Sequence, residues 1–134
     1  MLNEAVWPRL REVGFRGSGT TFTWPTKDAW VMIGLQKSSG NTRDAVKFTA
    51  NVSVTTKAEW AKKRVDQSYL GEKPSPNVLP WGWGMRIGQL MPVHADYWWV
   101  LRTGDDWTMT AQELLDAIEH IALPRMLLEL ETKR

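Results

Sequence analysis

Cysteine is absent from this chain, which removes disulfides, thiolate metal sites and a cysteine nucleophile together. Long apolar runs are missing as well: nothing approaches the roughly 20 residues that span a bilayer. The opening "MLNEAVWPRLREVGF" also lacks the apolar centre of a signal peptide. A cytoplasmic protein with no membrane partner is therefore expected. Charge of one sign is not in large excess, because 17 basic residues face 15 acidic ones for a net +2. That is short of the concentrated basic surplus of a dedicated nucleic-acid binder and argues against such a partner. Internal repeats and low-complexity tracts are lacking too. At 134 residues the chain suits one domain, 1–134, with one core.

What is abundant is tryptophan, with nine in the chain. Each such ring buries about 150–250 Å² when it enters a core, so most of them are expected to pack rather than to bind.

Residues 46–54, "VKFTANVSV", alternate without exception: Val46, Phe48, Ala50, Val52 and Val54 against Lys47, Thr49, Asn51 and Ser53. A strand with one core face and one polar face follows, in a sheet that is antiparallel and open to water on part of that second face. "WVMIGLQKS" (30–38) reads as a neighbouring strand with Val31, Ile33 and Leu35 inward and Trp30, Met32, Gly34 and Gln36 on the other side. "FRGSGTTFTWP" supplies a hairpin. "WGWGMRIGQLM" (81–91) places Trp81, Trp83, Met85 and Ile87 inward, and its glycines opposite point to a bulge, curvature or another backbone lying close. A last strand covers 97–103. There Trp98 is in phase with Arg102 on the polar face, and Trp99 is in phase with Tyr97 and Leu101 in the core.

Helices punctuate these strands. Val6, Leu10 and Val13 recur at helical spacing before Gly14, and Pro8 predicts a regular part that starts only near that proline. Thr56-Lys-Ala-Glu59 matches a capping box and opens a helix over 57–67, with Ala58, Ala61 and Val65 on one face. Thr110-Ala-Gln-Glu113 matches a second box and opens the helix carrying Leu114, Leu115, Ile118, Ile121 and Ala122, which Pro124 ends or kinks. Between helix and strand, "YLGEKPSPNVLP" reads as an irregular connection. The expected fold is α+β: an antiparallel sheet of about five strands with helices packed mainly on one face.

The order of "LREVGFRGSGTTF", "VMIGLQKS", "MRIGQL", "DYWWVL" and "IALPRMLLEL" resembles a bacterial family known only as domain-of-unknown-function family 4304. The resemblance covers nearly the whole chain. It implies a small α+β domain and no particular activity.

No constellation of residues names a reaction. His94-x-Asp96 offers two metal ligands where three or four are needed, and His120 sits apart on a helix. Asp105-Asp106 reads as turn residues before a helix. No serine has a nucleophile-elbow context, and no helix follows "FRGSGTTF" as a phosphate loop would require. No catalytic residue, metal or cofactor is therefore assigned. The remaining candidate is the polar sheet face, where Trp30, Gln36, Lys47, Asn51, Arg86, Trp98 and Arg102 form an aromatic and basic surface. Such a surface suits a peptide, an anionic metabolite or a single nucleic-acid strand, unless it is simply a solvated face with arginine stems over the rings. The reading favoured is a non-enzymatic binding or interaction module of the immunity kind, with a protein or small anionic ligand as partner. An enzyme acting on a small anionic substrate and a single-strand nucleic-acid binder are the alternatives.

Overall fold

The computed structural model describes residues 2–78 and 82–134. Helix α1 (Leu2–Val13) leads into β1 (Arg16–Ser18), β2 (Thr21–Trp24), β3 (Ala29–Lys37) and β4 (Ala45–Thr56). Helix α2 (Lys57–Asp66) and an irregular segment, 67–78, precede β5 (Trp83–Arg86) and a 3-10 turn (Ile87–Gln89). Then come β6 (Trp99–Arg102), α3 (Trp107–Ala117), a π-helical turn (Ile118–Ala122) and α4 (Leu123–Thr132). All pairings are antiparallel, in the order β1-β2-β3-β4, and the far edge of β4 is shared by β5 and β6. The expected α+β class and antiparallel sheet are what the structure shows.

Alternation in β4 sets the sides of the sheet. Phe48, Ala50, Val52 and Val54 join Val31, Ile33, Trp99 and Leu101 in a core closed by Val6 and Leu10 of α1, Leu114 of α3 and Met126 of α4. Trp83 and Met85 pack against this core and Ile87 is fully buried within it, as their phase predicts; Trp81 lies outside the described residues.

Several elements depart from their expected bounds, each for a physical reason. Helix α1 runs through Pro8 rather than starting beside it. Pro8 sits on the exposed side of the helix, where a missing N–H costs least, while Val6 and Leu10 on the same helix are buried. The helix ends at Gly14 (φ 130°), where Gly14 and Phe15 donate back to the Arg11 and Leu10 carbonyls. In α2 the Ala58, Ala61 and Val65 stripe faces solvent, and Trp60 is the buried residue. The indole is the one large ring on the helix, and burying it also gives its Nε1–H the Gly71 and Glu72 carbonyls. The strand expected over 81–91 is confined to β5, after which the chain leaves β4 so that β6 can take the rest of its edge. The strand expected over 97–103 likewise shortens to β6, because the Tyr97 carbonyl accepts from the Thr49 hydroxyl (2.7 Å). Finally, Pro124 offers no N–H to the His120 carbonyl, and the helix loosens to a π turn just before it instead of stopping.

The start of α3 is also corrected. Asp106, not Thr110, is the cap: its carboxylate accepts from the Thr108 N–H at 2.9 Å. Starting one turn earlier lets Trp107 pack on the core. Asp106→Ala should therefore cost about 0.5–2 kcal/mol. Thr110→Ala should stay within about 0.5 kcal/mol. Urea unfolding of both variants checks this, and the opposite order would put the cap back at Thr110.

Candidate functional site

The polar face of the sheet begins from β4. Thr49, Asn51, Ser53 and Thr55 are polar by sequence, yet all are buried. Much of the cover is the 67–78 segment, which straps this face with its Pro74 and Pro76 buried, while Tyr97 meets Thr49 and Gly82 lies against Thr55. Trp60 anchors the strap, since its Nε1–H is shared between the Gly71 and Glu72 carbonyls at 3.1 and 3.0 Å. Gly34 makes room for it: a Cβ there would meet the Asn77 amide and lie 2.8 Å from Pro76 Cγ. At one end Trp30 is half-buried, with the ammonium groups of Lys57 and Lys73 4.7 and 5.7 Å from its ring centre.

Beyond Asn77 the cover stops. A groove of about 270 Å³ opens there, lined chiefly by Gln36, Asn51, Asn77, Val78, Met85 and Arg86. Register explains the gathering, because Gly34, Asn51 and Arg86 lie in one row across β3, β4 and β5, with Gln36 opposite Thr49 in the next row. Asn51 donates through Nδ2 to Gln36 Oε1 at 2.7 Å and to Asn77 Oδ1 at 2.8 Å. Asn77 in turn donates to the Leu35 carbonyl at 3.4 Å. The floor is thus a chain of carboxamides held by β-sheet backbone.

Beside the groove stands an ion pair with an aromatic partner. Arg86 donates to Asp96 Oδ2 at 2.6 Å, and the Trp98 indole N–H donates to the same oxygen at 3.3 Å. The Arg86 guanidinium lies 5.0 Å from the Trp98 ring centre. Asp96 and Trp98 reach this place because the chain leaves β5, turns at His94 (φ 48°) and returns with the Ala95 N–H on the Gly88 carbonyl (3.2 Å). Tyr97 then donates to Glu113 at 3.1 Å; burial first, and next the Glu113 hydrogen bond and charge, push its phenol above the usual range and keep it a neutral donor.

The family model of a domain of unknown function, DUF4304, matches residues 6–126, from within α1 to within α4. The chain belongs to that family. Neither the curated proteins nor the solved structures searched yield a match to it.

In this DUF4304 chain Gln36, Asn51, Arg86 and Trp98 come together, and the other residues expected on the same face do not. Trp30 sits under its lysines at the far end of the face, opposite Thr55. Lys47 and Arg102 are exposed along the β4–β6 half, where Lys47 faces Val100 and Arg102 faces Ala45. Trp98 precedes β6 rather than belonging to it, and is half-buried. His94 and Asp96 turn to separate partners, the Gln89 carbonyl and Arg86. Asp105 accepts from the Arg102 N–H (2.8 Å) and Asp106 caps α3, so both serve backbone. Asn77 escaped the sequence reading, and Asp96 was weighed there only as a metal ligand and not as the partner of Arg86, because loops carry no period; Gly34, a glycine inside an apolar strand, was the available sign that something lies against that face.

A larger groove of about 540 Å³ separates the Trp24–Thr26 corner from α4, walled mainly by Trp24, Pro25, Pro124, Leu127 and Leu128. Its charged rim is satisfied internally, with Arg134 bridging Asp28 (3.2 Å) and Glu131 (3.4 Å). Convergent polar groups define a specific site better than volume does, and the carboxamide groove has them.

Among the described residues, no helix is long and apolar enough to cross a membrane.

Proposed function

We propose that the protein is a binding or interaction module rather than an enzyme, and that its ligand lies in the groove between the strap and the Arg86–Trp98 pair. The observation that carries this reading is the Gln36–Asn51–Asn77 carboxamide chain, linked at 2.7–2.8 Å on the floor of an open groove. These groups are preorganised by strand and strap, so a ligand that pairs with them need not order them first. Trp98 and Arg86 beside them are residue types that recur at the energetic centres of interfaces.

The composition of the lining supports binding over chemistry. Among the described residues it holds carboxamides, one guanidinium and apolar side chains, with no carboxylate, histidine or lysine to move a proton. This weighs against an enzyme for small anions. A nucleic-acid strand needs a track of cations, and the face scatters them, with Lys57 and Lys73 at Trp30, Lys47 and Arg102 on the β4–β6 half, and a groove arginine already paired. Neutralising a partner protein, as an immunity protein does, is the form of this reading we favour.

Panning a displayed peptide library on the wild type, then measuring the selected peptides on variants, tests it. Trp98→Ala and Gln36→Ala should each weaken binding by about tenfold or more, the loss of roughly 1.4 kcal/mol. Met109→Ala, at an exposed position on α3, should leave it unchanged. Peptides that bind all of these chains equally would place the interaction surface elsewhere.

A further inference from the structure

We infer that the groove takes an extended, uncharged stretch of a partner polypeptide and reads it through its backbone amides; the inference rests on the binding reading above. Charge is the first argument. Arg86 is the only cation among the described residues that line the groove, and Asp96 already holds it at 2.6 Å. An anionic ligand would have to displace that carboxylate or approach it, and gains little from a guanidinium so matched.

Hydrogen-bonding capacity is the second. Asn51 uses both N–H groups on Gln36 and Asn77. No described residue bonds to the Asn51 oxygen or to the Gln36 amino group, so two neighbouring lining residues keep an acceptor and a donor in hand. A phosphate or carboxylate offers acceptors alone. A peptide unit offers one N–H and one C=O, the complement of this pair. Exposed Val78 lines the groove and half-buried Trp98 stands beside it against Arg86, giving side chains of a polypeptide apolar surface that a free polar metabolite would not use.

The third argument is the strap itself. This face already holds one piece of polypeptide: Pro76 is buried against Gly34, and the Asn77 amide exchanges bonds with Asn51 and the Leu35 carbonyl. The groove continues that track toward Arg86, and a partner segment would extend along the same row of carboxamides.

The experiment is a titration of the full chain followed by ¹⁵N–¹H spectra, reading the side-chain NH₂ signals of Gln36 and Asn51 and the indole N–H of Trp98. The probes are the blocked dipeptide acetyl-Ala-Ser-N-methylamide, inorganic phosphate, acetate and uridine, at matched ionic strength. The blocked dipeptide should shift all three residues saturably, and Gln36→Leu should weaken it about tenfold, roughly one hydrogen bond with its partner left unpaired. Gln36→Leu leaves the Asn51–Asn77 link and the strap in place, and the unchanged Trp60 indole signal verifies that. Shifts from phosphate or acetate that fade with added salt would overturn the inference in favour of an anion, and shifts from uridine alone would overturn it in favour of a nucleobase. A silent dipeptide beside displayed peptides that still bind at the groove would defeat backbone-amide reading while leaving the binding module standing; no displayed peptide binding there would defeat both.

Discussion

Gly88→Ala is expected to cost about 3 kcal/mol, the upper part of the range for forcing extra atoms into a packed site. A Cβ at this position would collide with the Ala95 carbonyl and lie 2.6 Å from the Tyr97 nitrogen. Both obstacles are backbone, so no rotamer change relieves them. Gly88 also accepts from the Ala95 N–H, which closes the excursion between β5 and β6. Forcing that closure apart moves Asp96 and Trp98 away from Arg86, so binding at the groove should fall along with the urea midpoint. Gly40→Ala is the matched control, since its Cβ would meet nothing nearer than the Ser38 hydroxyl at 3.8 Å, and it should stay within about 0.5 kcal/mol of wild type. Equal midpoints for the two variants would mean that the excursion is not packed as described.

That glycine shows what the sequence made legible and where it stopped. Glycines opposite the inward residues of 81–91 announced a bulge, curvature or another backbone lying close. At Gly88 the last of these holds, with the returning 95–97 segment as the backbone. The partner in that contact was unreadable, because the excursion has no period to phase it. The same limit applies to the polar face. Alternation in 46–54 separates the two sides of β4, but it does not report whether a side is covered. Thr49, Asn51, Ser53 and Thr55 look like water-facing residues and are buried, Asn51 against the strap, Thr49 against Tyr97 and Thr55 beside Gly82. The arrangement is nearly satisfied, with Thr49 and Asn51 bonded to Tyr97, Gln36 and Asn77; the buried Ser53 hydroxyl has no partner among the described residues.

Phase and register carry different information about the candidate site. Phase put Gln36, Asn51, Arg86, Trp30, Lys47 and Arg102 on one face. Register then decided which share a row, and it is fixed by contacts between distant strands rather than by local pattern. Asn51 pairs with Arg86 on one side and Gly34 on the other, while Trp30 is opposite Thr55 and Arg102 opposite Ala45, near the two ends of β4. The helices repeat the lesson at smaller scale. A capping-box match at Thr56–Glu59 is realised in full, whereas the match at Thr110–Glu113 falls inside α3 because an earlier aspartate brings Trp107 onto the core. Both boxes satisfy the same local rule, and only packing distinguishes them.

Adjacent tryptophans give the last prediction and the largest one. Trp99 is 3% exposed, its ring stacked on Phe48 with centres 5.9 Å apart and met edge-on by Tyr97 at 4.9 Å. Truncation to Ala removes an entire ring from a closed core and should destabilise the fold by roughly 3–5 kcal/mol. The Trp99 indole nitrogen is buried without a hydrogen-bond partner among the described residues. Trp99→Phe deletes that unsatisfied donor along with part of the ring, so it should cost far less, about 1.5 kcal/mol or below. Trp98 lies on the other side, half-buried, under the Arg86 guanidinium and bonded to Asp96. Losing it forfeits an exposed cation–π contact worth about 0.5–1 kcal/mol and some apolar contact, for a total of about 1–2 kcal/mol. Its effect on binding should exceed its effect on stability. Urea unfolding of the three variants reads the order directly: a costlier Trp98→Ala than Trp99→Ala would exchange the two faces. Equal large losses would mean that Trp98 is as enclosed as Trp99, and the groove beside it would then have no aromatic wall to offer a ligand.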